Sequence, residues 1–355
     1  MNAPPKLFRR GLVVGKFSPL HLGHALLIER ALCDCEEVIV LSYSVPEYAH
    51  CARATREQWI RELFPSALAL VLDQPELERL CAQEGIGAAP RLPANDADAT
   101  TQRDFVGWLC VAILRTRVDA VFSSEAYGDG FAAHLCAYLR ARDAGAPAVR
   151  HVCVDRARTR VPISGSAVRA APHACRQFLP ARVYASFVQR VAILGGESSG
   201  KTVLAQALAE QLGTCWAAEY GRERWHARAG QLALPDMLEI ASAQVARETA
   251  LSAAAARWLI CDTTPLTTLF YSLDLFGNAD ARLDALAQRP YDHVFLCAPD
   301  FPFVQDGTRR DDAFRARQHR WYGEQLRQRG ITHALLHGGV AARVQHVRER
   351  LDAAS

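Results

Sequence analysis

Lysine is nearly missing from this chain. Of the 41 basic residues among 355, only Lys6, Lys16 and Lys201 are lysines. A lysine inside a phosphate-binding pattern is therefore not supplied by composition. Long apolar runs are missing too: no segment approaches the ~20 residues that a membrane-crossing helix needs. The first residues, MNAPPKLFRR, lead into a mixed segment and not into the apolar stretch of a signal peptide. Charge of one sign is not in excess, and a net +3 is too small to argue for a nucleic-acid or membrane partner. The 11 cysteines are odd in number and scattered, and Cys33 with Cys35 is a poor zinc signal. Cys110, Cys153, Cys261 and Cys297 fall in apolar strand- or helix-like segments, which reads as reduced, buried small hydrophobes in a cytoplasmic protein.

The chain is too long for one core, since single cores stop growing at ~250–300 residues. Strand-length apolar runs occur at residues 12–14, 38–41, 68–72, 120–122 and 148–154, with helical patterns at 22–33, 55–64, 102–115 and 130–142 between them. Residues 85–101 are rich in Gly, Pro, Asn and Asp and read as a loop that reaches over a site. A second series has strands at 191–194, 258–261, 293–297 and 334–336, with a helix at 201–212. This succession predicts an α/β protein of two tandem domains, each with a parallel sheet covered by helices. The expected boundary gives domains of residues 1–186 and 187–355.

Gly195-Gly196-Glu197-Ser198-Ser199-Gly200-Lys201-Thr202 fits G-x-x-x-x-G-K-[ST], between an apolar strand and a helix. By average composition such a match arises by chance in about one chain of this length in a hundred. The chemistry needs this arrangement. Glycines let backbone N–H groups turn toward phosphate oxygens, Lys201 bridges the outer phosphates, and the Thr202 hydroxyl suits Mg²⁺. Asp262 ends a later strand and suits Mg²⁺ or an acceptor hydroxyl; its commonplace alternative is a helix cap. Glu219-Tyr220-Gly221-Arg222 puts charged and substrate-binding candidates after a short strand, and Arg309 and Arg310 lie where a phosphate-covering lid would. Glu219 and Asp262 both stand as the acid that orients or deprotonates the acceptor. No Asn-Lys-x-Asp guanine reader occurs, so a small-molecule kinase is expected rather than a switch GTPase.

The first half carries Gly15-Lys16-Phe17-Ser18-Pro19-Leu20-His21-Leu22-Gly23-His24. A strand runs into a glycine turn, and two histidines three apart open a helix. There both imidazoles and the helix N-terminus can face one anionic group. A zinc role for this pair lacks a third ligand at convincing spacing. Far along, Ile163-Ser164-Gly165-Ser166-Ala167-Val168-Arg169 puts Ser164, Ser166 and Arg169 at a helix start, a cradle for phosphate oxygens. ATP phosphates between these two elements are the expectation.

This motif pair resembles the signature of the nucleotidyltransferase superfamily. With Val191–Thr202 and Glu219-Tyr220-Gly221-Arg222 behind it, the chain resembles the NadR-type bifunctional proteins of bacterial NAD synthesis, from about Leu12 to about Gly330. Residues 122–125 and Asp155-Arg156 also look like family segments. The resemblance implies a Rossmann-like adenylyltransferase domain followed by a P-loop kinase domain. It implies Mg²⁺ and ATP, phosphorylation of nicotinamide riboside, and joining of the mononucleotide to AMP to give NAD and pyrophosphate. It implies small-molecule partners; a homo-oligomer is compatible with it. Some members carry an N-terminal helix-turn-helix domain, which the early first strand leaves no room for, so DNA binding by that route is not expected. Trp108 and Tyr127 are candidates to face a pyridine ring, although a core role is the commoner reading for Trp108. Two rivals remain: the same reactions on other substrates, and an NAD/ATP-sensing regulator whose adenylyltransferase domain is weak or inactive.

Overall fold

The computed structural model describes residues 5–305 and 310–353. The chain divides into two compact units, Met1–Tyr184 and Ala185–Ser355.

In the first unit, strands β1 (Phe8–Val14), β2 (Cys35–Tyr43), β3 (Leu68–Leu72), β4 (Ala120–Ser123) and β5 (Arg150–Cys153) form one parallel sheet in the order β3-β2-β1-β4-β5. The chain winds outward from β1 in one direction and then, after β3, crosses back to build the other side. That reversal opens a crevice at the carboxyl ends of β1 and β4, where ligands of doubly wound sheets bind. Leu12, Ile39, Leu41 and Val121 face a core completed by Phe105, Leu109 and Leu135 from the flanking helices. The helices Leu22–Asp34, Arg53–Leu63 and Gly128–Arg140 fall where the periodicity puts them. The expected helix over 102–115 is instead Ala99–Trp108 followed by a π-helical turn, Leu109–Ile113. The 85–101 segment is coil as far as Asp98, whose carboxylate caps that helix.

In the second unit, β6 (Gln189–Gly195), β7 (Trp216–Ala217), β8 (Trp258–Asp262), β9 (His293–Cys297) and β10 (Ala334–Leu336) form a parallel sheet in the order β10-β9-β6-β8-β7. Alternate residues of β6 serve opposite faces. Val191 and Ile193 pack on the helices Lys201–Gln211 and Val340–Ala353, whereas Ala192 and Leu194 pack on Leu234–Ser252 and Pro265–Phe276. Two sandwiched faces explain why these strands read as continuous apolar runs.

All 11 cysteines are free thiols, and Cys110, Cys261 and Cys297 are buried as expected. Cys153 is not. It ends the edge strand β5, where no further strand covers it, and is exposed. Among the described residues, no helix is long and apolar enough to cross a membrane, and no cluster of His, Cys, Asp or Glu is arranged to hold a metal.

Candidate functional site

The loop after β6 owes its shape to two glycines. Gly195 has φ +150°, and a Cβ there would lie 2.7 Å from Ser199 Oγ; Gly200 has φ +79° at the start of the helix Lys201–Gln211. Side chains then brace the loop from within and without. Ser199 Oγ donates to the Gly196 carbonyl at 2.7 Å, Ser198 Oγ accepts the Val304 N–H, and the Glu197 N–H donates to Gln318 Oε1. Ser199 Oγ is thus occupied within the loop, and Ser198 Oγ by the segment that follows β9. Lys201 Nζ donates to the Gly196 carbonyl at 2.9 Å.

Thr202 Oγ1 donates to Asp262 Oδ2 at 2.7 Å. Asp262 is 1% exposed, and its other oxygen, Oδ1, has no hydrogen-bond partner. Burial, helped by the negative charge of Glu219, pushes its pKa up to about 6 against the pull of Lys201, Thr202 and Arg222. A buried carboxylate oxygen without a partner, next to a hydroxyl, is a hard-oxygen donor set that fits Mg²⁺. Asp262 is not a helix cap: Thr264 Oγ1 caps the helix Pro265–Phe276, and Thr263 between them takes φ +75°.

Beside this pair lies a cavity of about 280 Å³, lined among others by Lys201, Thr202, Glu219, Arg222, Tyr271 and Arg310. Trp225, Met237 and Ile240 supply an apolar wall. Glu219 lies 3.4 Å from Arg222. Glu197, the carboxylate inside the loop, accepts the Tyr271 hydroxyl at 2.9 Å and the Arg310 N–H at 2.9 Å. Arg310 also pairs with Asp274 at 2.6 Å. Tyr220 is not part of the lining; its ring lies 5.2 Å from the Arg247 guanidinium. Arg309 lies outside the described residues.

In the first unit, Phe17 takes φ +46° with its ring fully buried against His24, at 4.9 Å between centroids. A Cβ at Gly15 would meet that ring at 3.1 Å. His21 and His24 stack at 3.8 Å and together form the cap of the helix Leu22–Asp34. His21 Nδ1 accepts the Gly23 N–H and His24 Nδ1 accepts the His21 N–H. Each neutral ring therefore carries its proton on Nε2. Burial first, then the charges of Arg158 and Arg169, push the His21 pKa down to about 4. Burial and His21 push His24 down as well, while a bond to the Pro19 backbone pulls it back. The two imidazoles are thus unequal. His24 is held between Phe17, His21 and Pro19, and His21 is the better placed neutral N–H donor.

The second motif meets the first through Arg169. Its Nη1 donates to the Ser18 carbonyl at 2.6 Å and its Nη2 to Ser166 Oγ at 3.0 Å, over the Tyr48 ring. Ser164 caps the short helix Gly165–Ala170 through the Ala167 N–H. Lys16 Nζ donates to the Asn95 carbonyl, which ties the 85–98 loop to the Gly15–His24 segment. Trp108 stacks on Phe105 and packs against the core, in line with its commoner reading. Tyr127 is 56% exposed on the turn after β4. That turn is fixed by a chain of contacts from Asp129 to His151 to Ser123, each 2.9 Å long.

Three features escaped the sequence. Arg56 is fully buried and donates to Ser42, Cys51 and Glu47, which fixes the segment carrying Lys16. Arg158 lines a shallow hollow with Ser164 and pairs with Glu125 at 2.8 Å. Gln244, on a helix distant in sequence, lines the cavity of the second unit.

Comparison with known proteins bears on both units. A family profile described as an AAA domain matches residues 190–343. The trifunctional NAD biosynthesis/regulator protein NadR of Escherichia coli (strain K12) is 28% identical over 316 residues, 84% of this chain and 71% of that protein. The chain is similar to NadR across both units. Its counterpart in Salmonella typhimurium matches to the same degree. A crystal structure of NadR in complex with NAD and AMP-PNP superposes with a TM-score of 0.69 at 18% identity, over 98% of this chain and 97% of that one, a likeness of fold. Phosphopantetheine adenylyltransferase of Kocuria rhizophila is 38% identical over 69 residues, 19% of this chain and 44% of that protein.

Proposed function

We propose that this chain makes NAD from nicotinamide riboside in two steps, with the kinase in residues 187–355 and the adenylyltransferase in residues 1–186. The observation that supports the reading is that the two motifs expected to bind phosphate each fold at the carboxyl end of the central strand of a parallel sheet, in a chain similar to NadR along 84% of its length. The first site rests on His21 and Arg169, the second on Lys201, Thr202 and Asp262.

In the kinase unit, the riboside 5′-hydroxyl attacks the γ-phosphorus of ATP in line, and ADP leaves. Lys201 and the cavity arginines Arg222 and Arg310 offset the charge of the transferring phosphoryl group. Thr202 and Asp262 would hold Mg²⁺, which when bound neutralises phosphate charge. Asp262 is committed to Thr202 and lies beneath the cavity, whereas Glu219 lines it. This division favours Glu219 as the acid that orients the hydroxyl and accepts its proton. The apolar wall of Trp225, Met237 and Ile240 suits the flat base of a riboside.

In the adenylyltransferase unit, a phosphate oxygen of the mononucleotide attacks the α-phosphorus of a second ATP, and pyrophosphate leaves. The attacking oxygen is already anionic, so positioning and charge stabilisation dominate and no strong base is needed. Neutral His21 donates from Nε2, and Arg169 supplies fixed positive charge. Lys16, Ser164 and Ser166 complete the phosphate cradle, and Tyr127, exposed on the turn after β4, serves the pyridine end.

The test is product chromatography on purified full-length protein with MgATP and riboside or mononucleotide. The reading requires both mononucleotide and NAD from riboside. Accumulation of mononucleotide without NAD would leave a kinase joined to a sensor, and untouched riboside would overturn the substrate assignment.

A further inference from the structure

Glu219 sits between two peptide groups that are each held by a side chain of one helix, Leu234–Ser252. On its N-terminal side, Arg247 Nη1 donates to the Ala218 carbonyl at 3.0 Å. On its C-terminal side, Gln244 Oε1 accepts the Tyr220 N–H at 3.0 Å. Gln244 and Arg247 are three residues apart and so share one face of the helix. With both flanking peptides fixed, the φ and ψ of Glu219 are fixed too, and its side chain leaves the backbone in one direction.

Each arm of this clamp is itself anchored. Arg247 pairs with both oxygens of Glu223, at 2.5 and 2.7 Å, one turn along the helix Tyr220–Ala227. Gln244 is 3% exposed, and its Nε2 faces Glu248 Oε1 at 3.5 Å. Glu248 is fully buried, and both its oxygens accept the Tyr291 hydroxyl at 3.0 Å. A carboxylate so placed turns the amide's NH₂ toward itself and its oxygen toward Tyr220. The Arg247 guanidinium also lies over the Tyr220 ring, which accounts for that ring's absence from the cavity.

We propose that Gln244 and Arg247 are positioning residues that set Glu219 against the acceptor hydroxyl. This rests on the kinase reading above. Arg247 is not in the cavity lining, and Gln244, which is, has its amide oxygen on the Tyr220 N–H, so their removal is felt in the chemical step.

The experiment uses full-length protein and the variants Gln244→Leu, Arg247→Met and Arg247→Lys. Riboside phosphorylation should lose about ten- to a hundredfold in kcat in the first two, the penalty of a misplaced group. The KM for MgATP should stay within about twofold, and Arg247→Lys should recover most of the loss, since an ammonium still reaches the Ala218 carbonyl. In parallel, ¹⁵N-tyrosine labelling follows amide hydrogen exchange at Tyr220, which should accelerate about tenfold or more in Gln244→Leu. Unchanged exchange refutes the clamp. Faster exchange with unchanged kcat, or a KM for MgATP that rises in step, refutes its positioning role. If wild type leaves riboside untouched, the kinase reading fails, and the clamp stands or falls on the exchange rate alone. Arg247 is partly exposed, at 24%, so its variants keep the test open should Gln244→Leu not fold.

Discussion

Replacing His21 by Asn separates two roles that the imidazole combines. Its Nδ1 caps the helix Leu22–Asp34 by accepting the Gly23 N–H at 3.1 Å, and Asn is as good a cap. Its Nε2–H is the donor assigned to the adenylyl transfer, and the shorter Asn cannot place an N–H at that point. Removing one such donor costs about 3–4 kcal/mol in the transition state, so NAD formation from supplied mononucleotide should fall on the order of 10²–10³-fold. The unfolding free energy at pH 8 should change by no more than ~0.5 kcal/mol. Acid adds an independent readout. The folded pKa of His21 is lowered from 6.5 to about 4, so between those values the unfolded chain binds the extra proton and stability falls as pH falls. At pH 5 the gap amounts to roughly 2 kcal/mol, at about 1.4 kcal/mol per pH unit. His21 is 7% exposed, so solvent screening takes little from that figure. The Asn variant escapes this penalty and should gain on wild type by that order between pH 8 and pH 5. Urea unfolding at both pH values and product chromatography measure the two effects. A loss of transfer below about tenfold, or a parallel loss of riboside phosphorylation, would refute the assignment of His21. An unchanged stability difference between the two pH values would refute its depressed pKa.

The complementary variant, Lys201→Met, should cut riboside phosphorylation on the order of 10²–10³-fold while leaving the mononucleotide-to-NAD step intact, read by supplying each substrate in turn. Arg56→Met should destabilise the first unit by about 2–4 kcal/mol, since it removes a fully buried guanidinium that serves Ser42, Cys51 and Glu47; urea unfolding measures it, and a cost near zero would show that these contacts carry no net stability. Gly128→Ala should disturb the turn that carries Tyr127, because a Cβ there collides with the His151 ring. Its expected signature is a raised KM for mononucleotide with phosphorylation of riboside unaffected.

The boundaries between legible and illegible follow the range of the interactions. Residues 68–72, 293–297 and 334–336 are strands with the expected ends. The interior strand 293–297 is buried from Val294 to Cys297 and so writes itself as an apolar run, whereas the edge strands 68–72 and 334–336 stay apolar even though Leu68 and Leu335 are exposed. The helix Gln74–Gln83 carries a local start signal of its own: Asp73 caps it and Pro75 stands in its first turn. The π-helical turn at Leu109–Ile113 carries no such signal, since its residues suit an α-helix equally well.

The same division runs through the sites. Sequence by itself determined two α/β units, the Gly195–Thr202 loop and the histidine-bearing helix start, because glycine φ values, caps and helical spacing act over a few residues. Only the tertiary structure decided which groups those motifs would meet. Asp262 reaches Thr202 across 60 residues, Arg169 reaches Ser18 across 151, and Gln244 reaches the Tyr220 N–H from another helix. It also decided that His21 and His24 would be unequal, since burial and neighbouring charge set a pKa and no local pattern encodes either.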